Sequence, residues 1–203
     1  MDVAYPHFVR ELVNMASHDL DVRARLAENG ELFDGYNAEM REVHRRNGDR
    51  LAQIIDELGS WPGRTAVGDA GAQAAFLIAQ HDIARPDLMM RNCALLTEAV
   101  SKGDADPVGL AHMSDRIRVF EGQHQLYGTQ LGWNDDGVFD VWPPVEDPDE
   151  VDVRRAGVGL PPLADHLARA DFSAVSHDRR GAEDLAQYRR DEAAFARSVG
   201  WRT

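Results

Sequence analysis

Apolar residues in this chain recur at steps of three and four, and no stretch alternates convincingly with period two. That spacing confines the fold to packed helices. Proline and glycine then divide it into helix-length pieces. The first predicted helix is Pro6–Glu28, with Pro6 tolerated in its first turn and Asn29-Gly30 stopping it. A second covers 37–58 and ends at Gly59, ahead of Trp61-Pro62-Gly63. The segment GRTAVGDAG reads as a loop before a short helix over 72–82. Pro86 opens a helix to Ser101, and Pro107 opens one to Glu121. The expectation is an all-α protein, a single-domain irregular helical bundle spanning 1–203.

Beyond the fifth helix the pattern changes. Residues 131–147 are rich in Gly, Asp, Trp and Pro and longer than a usual helix connection, so they read as a covering loop or an irregular surface loop. Asp147-Pro148-Asp149-Glu150 has the order of a helix start: aspartate at the N-cap, proline at the first helical position, glutamate three residues after the cap. Asp152, Arg154 and Arg155 then fall on a short helix closed by Gly157 or Gly159, and Pro161-Pro162 opens another turn. Residues 171–203 are expected to be a C-terminal extension with a charged helix over 182–199.

Composition excludes several classes of function. The net charge of -13 lacks the concentrated positive field that phosphate binding needs, so no nucleic acid partner is expected. An acidic surface serves solubility and leaves a basic or neutral partner possible in principle. No apolar run approaches the ~20 residues that cross a bilayer, and the N-terminus lacks a secretory pattern. A cytoplasmic protein without a membrane partner is expected; oligomeric state is not legible. Cys93 is the only cysteine, which rules out an intrachain disulfide and a cysteine-rich metal site, and its apolar surroundings predict a small buried residue.

Several helical stripes are interrupted by polar residues. Phe8, Leu12, Met15, Val22 and Leu26 leave Asp19 as the missing member of one face, with Arg23 four residues on as its expected partner. On the second helix Met40, Leu51, Ile54 and Leu58 define a stripe whose intervening places are His44 and Asn47. On the third, His81 shares a face with Ala74 and Ile78. Arg116 lies at the edge of the stripe Leu110, Ile117 and Phe120, where an arginine can snorkel or bind a carboxylate. Directly after this helix, EGQHQLYGTQ at 121–130 crowds together Gln123, His124, Gln125, Tyr127, Thr129 and Gln130. If covered by protein, each unpaired amide group there costs ~1–3 kcal/mol. The segment is either an exposed turn or part of a polar pocket inside the bundle.

Gln80-His81, Asp115-Arg116, Tyr127-Gly128-Thr129-Gln130 and Asp152-Val153-Arg154-Arg155, followed by Gly159-Leu160-Pro161-Pro162-Leu163, resemble the words QH, DR, YGTQ and VDxRR of a bacterial family of uncharacterised proteins. Asp19, Arg23, Asn47 and the Trp61-Pro62-Gly63 turn extend the resemblance over the first four-fifths of the chain. It implies relatedness and a shared pocket but no reaction. The tail beyond Ala170, His44 and His124 stand outside it.

Three functions fit these residues. The first is a cofactor-free and metal-free enzyme acting on a small polar or anionic molecule, by hydrolysis, isomerisation, elimination or cyclisation. His81 would be its general acid or base and Tyr127 a second proton donor, Gln123, Gln125 and Gln130 would hold a carbonyl or oxyanion, and Arg116, Arg154 and Arg155 would anchor an anionic group. Asp19, Arg23 and Asn47 would support the site. The second is a metal enzyme built on Asp19, His44 and His81, a two-histidine, one-carboxylate set for which no HExxH or paired ExxH spacing exists. The third is a non-catalytic acidic binding or inhibitor module. Neither a phosphate-binding glycine loop, a GxSxG elbow nor a dinucleotide fingerprint is present.

Overall fold

Four helices precede residue 106: α1 (Pro6–Glu28), α2 (Ala38–Leu58), α3 (Arg64–His81) and α4 (Pro86–Ser101). They belong to a computed structural model that describes residues 3–32, 35–169 and 184–203. The all-α expectation holds, with eight α-helices among the described residues. None of them is long and apolar enough to cross a membrane. The chain gathers into two compact units, Met1–Asp106 and Pro107–Thr203.

In the first unit α2 starts where Asn37 accepts hydrogen bonds from the backbone N–H groups of Glu39 and Met40, and stops at Gly59, whose φ of 68° suits glycine. Helix α3 begins at Arg64, well ahead of the expected position near 72. Its start is capped from elsewhere in the chain: Asp104 accepts from the N–H of Arg64 with its carbonyl and from that of Thr65 with its side chain, at 2.8 and 2.7 Å. Gly68, at φ 67° and ψ 177°, kinks the helix one turn later. Helix α1 packs along α3, and both pack on α2. Their buried faces include Leu12, Leu51, Ile54, Val67 and Ala75, and each fully buried large aliphatic contributes ~1.5–3 kcal/mol. At Gly48 a Cβ would fall 2.1 Å from Arg85 Nη2 and 2.2 Å from Asp82 Oδ2, so only glycine lets α2 approach this pair. On α4 the buried position is Asn92, and Cys93 is half-buried rather than the core residue expected.

The second unit starts with α5 (Pro107–Glu121). The expected 131–147 loop contains a small antiparallel hairpin, β1 (Leu131–Trp133) and β2 (Phe139–Val141), pairing Leu131 with Val141 and Trp133 with Phe139. Three-residue strands are too short to display alternation in sequence, which is why the segment read as loop. Asn134 Oδ1 closes the hairpin turn by accepting from the N–H groups of Asp136 and Val138. Asp147 does not cap a helix: it sits at φ 44°, makes no side-chain cap, and leads into a 3-10 turn, Pro148–Glu150. Helices α6 (Val151–Gly157) and α7 (Leu163–Arg169) follow, with Asp152 Oδ1 accepting from Leu163 N at 2.7 Å. Helix α8 (Leu185–Ser198) is the charged C-terminal helix; the expected positions 182 and 183, and the extension over 171–183, lie outside the described residues. Arg189 of α8 lies over the Trp142 ring at 4.0 Å and donates to the Trp133 carbonyl. Trp201 stacks on Phe120 at 5.3 Å.

Candidate functional site

Asp19 is wholly buried on the α1 stripe with Leu12, Ala16, Val22 and Leu26. Its expected partner Arg23 is exposed and makes no ion pair among the described residues. Position 23 lies off the buried face of α1, and imidazoles from α2 and α3 reach the carboxylate instead. Asp19 Oδ1 is 2.9 Å from His81 Nδ1, and Oδ2 is 3.3 Å from His44 Nε2. His44 is 7% exposed and the two imidazole centroids are 5.3 Å apart. Asp19 Oδ2 and His44 Nε2 lie 3.3 Å apart without a well-formed hydrogen bond to either atom. Burial would raise the Asp19 pKa, but the two imidazoles outweigh it and hold the carboxyl well below its usual range.

Around this cluster the fold supplies a second layer. His44 Nδ1 is 2.7 Å from the Tyr36 hydroxyl, and burial, followed by the charge of Asp82, pushes that phenol above its ordinary pKa. Asn47 Nδ2 donates to the Met15 carbonyl at 3.3 Å and ties α2 to α1. Asp82, buried beside His81 in sequence, accepts from Arg85 Nε at 3.0 and 2.9 Å; burial raises its pKa against the pull of that guanidinium.

Each of Asp19, His44 and His81 offers one ligand atom, all within 4.8 Å of one another; among the described residues this is the group that could hold a metal ion. Donors ~2.1 Å from a metal sit ~3.0 Å apart at a right angle and ~3.4 Å apart at the tetrahedral angle. The contacts of 2.9 and 3.3 Å are of that size, though His81 meets Asp19 Oδ1 and His44 meets Oδ2. The donor set, two imidazoles and one carboxylate, suits a divalent first-row transition metal.

The glutamine-rich segment is organised differently. Asp115, fully buried on α5, accepts from the N–H groups of Leu126, Tyr127 and Thr129 at 2.7, 3.1 and 2.9 Å, and from Thr129 Oγ1 at 2.9 Å. Gln125 is equally buried: its Nε2 donates to the carbonyls of Gln130 and Pro143, and its Oε1 accepts from Gln130 N. Gln130 accepts from Arg116 Nε at 3.0 Å and donates to Thr129 Oγ1. Arg154 donates to the carbonyls of Leu126, Glu146 and Asp147. Arg155 donates to those of Pro161 and Tyr127. Thus Arg116, Gln125, Gln130, Arg154 and Arg155 come together within the second unit, largely by bonding to one another and to the backbone of 121–147. Gln123 is exposed, and the half-buried Tyr127 hydroxyl makes no hydrogen bond among the described residues. His81 is gathered with Asp19 and His44 in the first unit.

Tyr36, Asp82, Asp115 and His112, discussed below, received no role from the sequence alone. Asp115 had a signal, since an aspartate late in a helix followed by a polar turn can collect the turn's N–H groups. Tyr36 had none, because its contact with His44 spans a turn and a helix start.

Fold and site together define a helical protein with an interior carboxylate and two imidazoles. The chain belongs to a family of unknown function (DUF6624), whose model matches residues 6–173, in agreement with the resemblance read from its sequence words to an uncharacterised family. Helix α8 lies beyond the match. No curated protein matches the chain, and no solved structure matches it.

Proposed function

We propose that this protein is a metal-dependent enzyme acting on a small polar or anionic molecule, with Asp19, His44 and His81 holding one divalent first-row ion. One observation carries the reading: Asp19 Oδ2 and His44 Nε2 are buried, 3.3 Å apart and without hydrogen bonds, with His81 beside them. Buried polar atoms left unpaired cost ~1–3 kcal/mol each, and an ion between them turns that cost into ligation. Donation of Nδ1–H to the Tyr36 oxygen, 2.7 Å away, would leave the His44 Nε2 lone pair for the ion. A bound ion would act as a Lewis acid and lower the pKa of water toward neutrality. A cytoplasmic setting and a ligand other than nucleic acid belong to the same proposal, the second resting on the net charge of -13.

Metal content of the purified protein and Co²⁺ absorption spectra test it. One ion per chain is expected, lost in His44→Gln and His81→Gln with the helical fold retained. Wild-type protein that takes up neither Zn²⁺ nor Co²⁺ would end the metal reading.

A second reading is favoured by the 2.9 Å contact of Asp19 with His81, which would orient that imidazole for acid–base chemistry without a metal. Turnover that survives chelation and disappears in His81→Gln would select it. In that case Gln125 and Gln130 keep the role their bonds give them, holding the loop.

A further inference from the structure

We propose that the second unit carries a separate binding site for a small oxyanion, a carboxylate or a phosphate, built on the Arg155 guanidinium with His112 and His166 beside it. It does not rest on the metal reading.

Arg155 has no solvent exposure. Its Nε donates to the Pro161 carbonyl at 2.6 Å and its Nη1 to the Tyr127 carbonyl at 2.5 Å, while Nη2 is buried with no hydrogen-bond partner. Both partners are neutral backbone oxygens, and Arg155 makes no ion pair among the described residues. Removing a guanidinium from water without a counter-charge is costly. Asp152 and, after it, Asp115 attract it at a distance, but Asp152 accepts from Leu163 N and Asp115 from three backbone N–H groups and a hydroxyl. The two N–H groups of Nη2 are left without an acceptor, and an oxyanion oxygen could accept a charge-assisted hydrogen bond from them.

Arg155 and Arg116 both act on His112, with the carboxylates of Asp115 and Asp152 nearby. Helix α5 presents His112 and Arg116 one turn apart, and Gln130 bridges them, accepting from Arg116 Nε at 3.0 Å and donating to the His112 carbonyl at 3.4 Å. Helix α7 brings His166, whose N–H bonds to the carbonyl of Pro162, next in sequence to the Pro161 held by Arg155. His112, Arg116, Tyr127 and His166 are half-buried. Burial, then the charges of Arg116 and His166, push the His112 pKa down to about 4, and burial with the charge of Arg155 lowers that of His166. Both imidazoles are therefore neutral N–H carriers near fixed cations. An anion on Nη2 would supply the missing counter-charge and give these N–H groups an acceptor.

Imidazole NMR on the full chain, titrated separately with inorganic phosphate and with acetate at constant ionic strength, tests the site. Bound anion should raise the apparent pKa of His112 and His166 by ~1 unit or more, as a nearby opposite charge does, and raise the melting temperature with ligand concentration. A response to phosphate alone assigns a phosphoryl ligand, and a response to acetate a carboxylate; either supports the site. Arg155→Gln should abolish both responses. Should that variant not fold, His166→Gln, which keeps both Arg155 contacts, should weaken binding by ~10-fold. Histidines and melting temperature that respond no more than to sodium chloride would mean that Nη2 holds only water, and would overturn the proposal, as would unchanged affinity in Arg155→Gln or His166→Gln.

Discussion

Asp19 in the first unit and Asp115 in the second are both carboxylates without solvent exposure, and what surrounds them differs. Asp115 is saturated by N–H groups and a hydroxyl from one turn of chain, 126–129. Asp19 faces imidazoles from two other helices and keeps an oxygen that no hydrogen bond satisfies. Saturation by local backbone fixes the path of a loop and leaves nothing for a ligand. An unsatisfied carboxylate among titratable rings is chemically available. The cluster with the plainer sequence is thus the better candidate site, and the glutamine-rich segment is mainly architecture.

The contrast can be broken by measurement. Asp115→Ala should have the largest effect on stability, ~3–5 kcal/mol, because it strands several donors of a buried loop; a denaturant midpoint near wild type would show that water satisfies them. Next, acid should weaken the second unit through His112. Its folded pKa lies below the unfolded value, so the stabilisation is present above pH 6.5 and is lost as pH falls toward about 4, amounting to ~3 kcal/mol. Unfolding curves of wild type and His112→Gln at pH 7 and pH 4 measure it, and equal acid losses in both would remove His112 as the cause. Gln125→Ala should cost ~2 kcal/mol, since it removes two bonds that close the 125–130 turn and one that joins it to Pro143. In the first unit, His81→Gln should change apo stability by ~1 kcal/mol or less and yet lower Zn²⁺ affinity by at least ~100-fold, the upper range for losing even an outer-shell partner. A stability loss as large as that of Asp115→Ala would erase the distinction between the clusters. Gln123→Ala, at an exposed position, should stay within ~0.5 kcal/mol of wild type by the same denaturant assay.

What local rules govern was legible in the sequence, and what distant partners decide was not. Helices α1, α2, α4 and α5 start and stop where proline, asparagine and glycine place them, and the interrupted stripes correctly turned Asp19, His44 and Asn47 inward. The start of α3 depends on Asp104, 39 residues beyond Thr65, and no local pattern announces such a cap. Arg23 was chosen for Asp19 because a partner four residues away is visible in sequence, whereas imidazoles 25 and 62 residues away are not. The polar segment 121–130 was overvalued for a related reason. Composition shows that amides are present, but their satisfaction by Pro143 and Arg116 emerges only when the chain is folded.

Asp19, His44 and His81 come one each from α1, α2 and α3, with the carboxylate sealed from solvent. An ion seated among them would be held on the Asp19 and His44 side by packed helices, with the half-buried His81 on its more accessible side, so its departure would be slowed by the fold. Affinity ordering among first-row metals would then govern the moment of assembly more than the lifetime of the finished protein. Each molecule would carry a record of the metals present when it folded, and two preparations of one sequence could differ for as long as the helices stay closed.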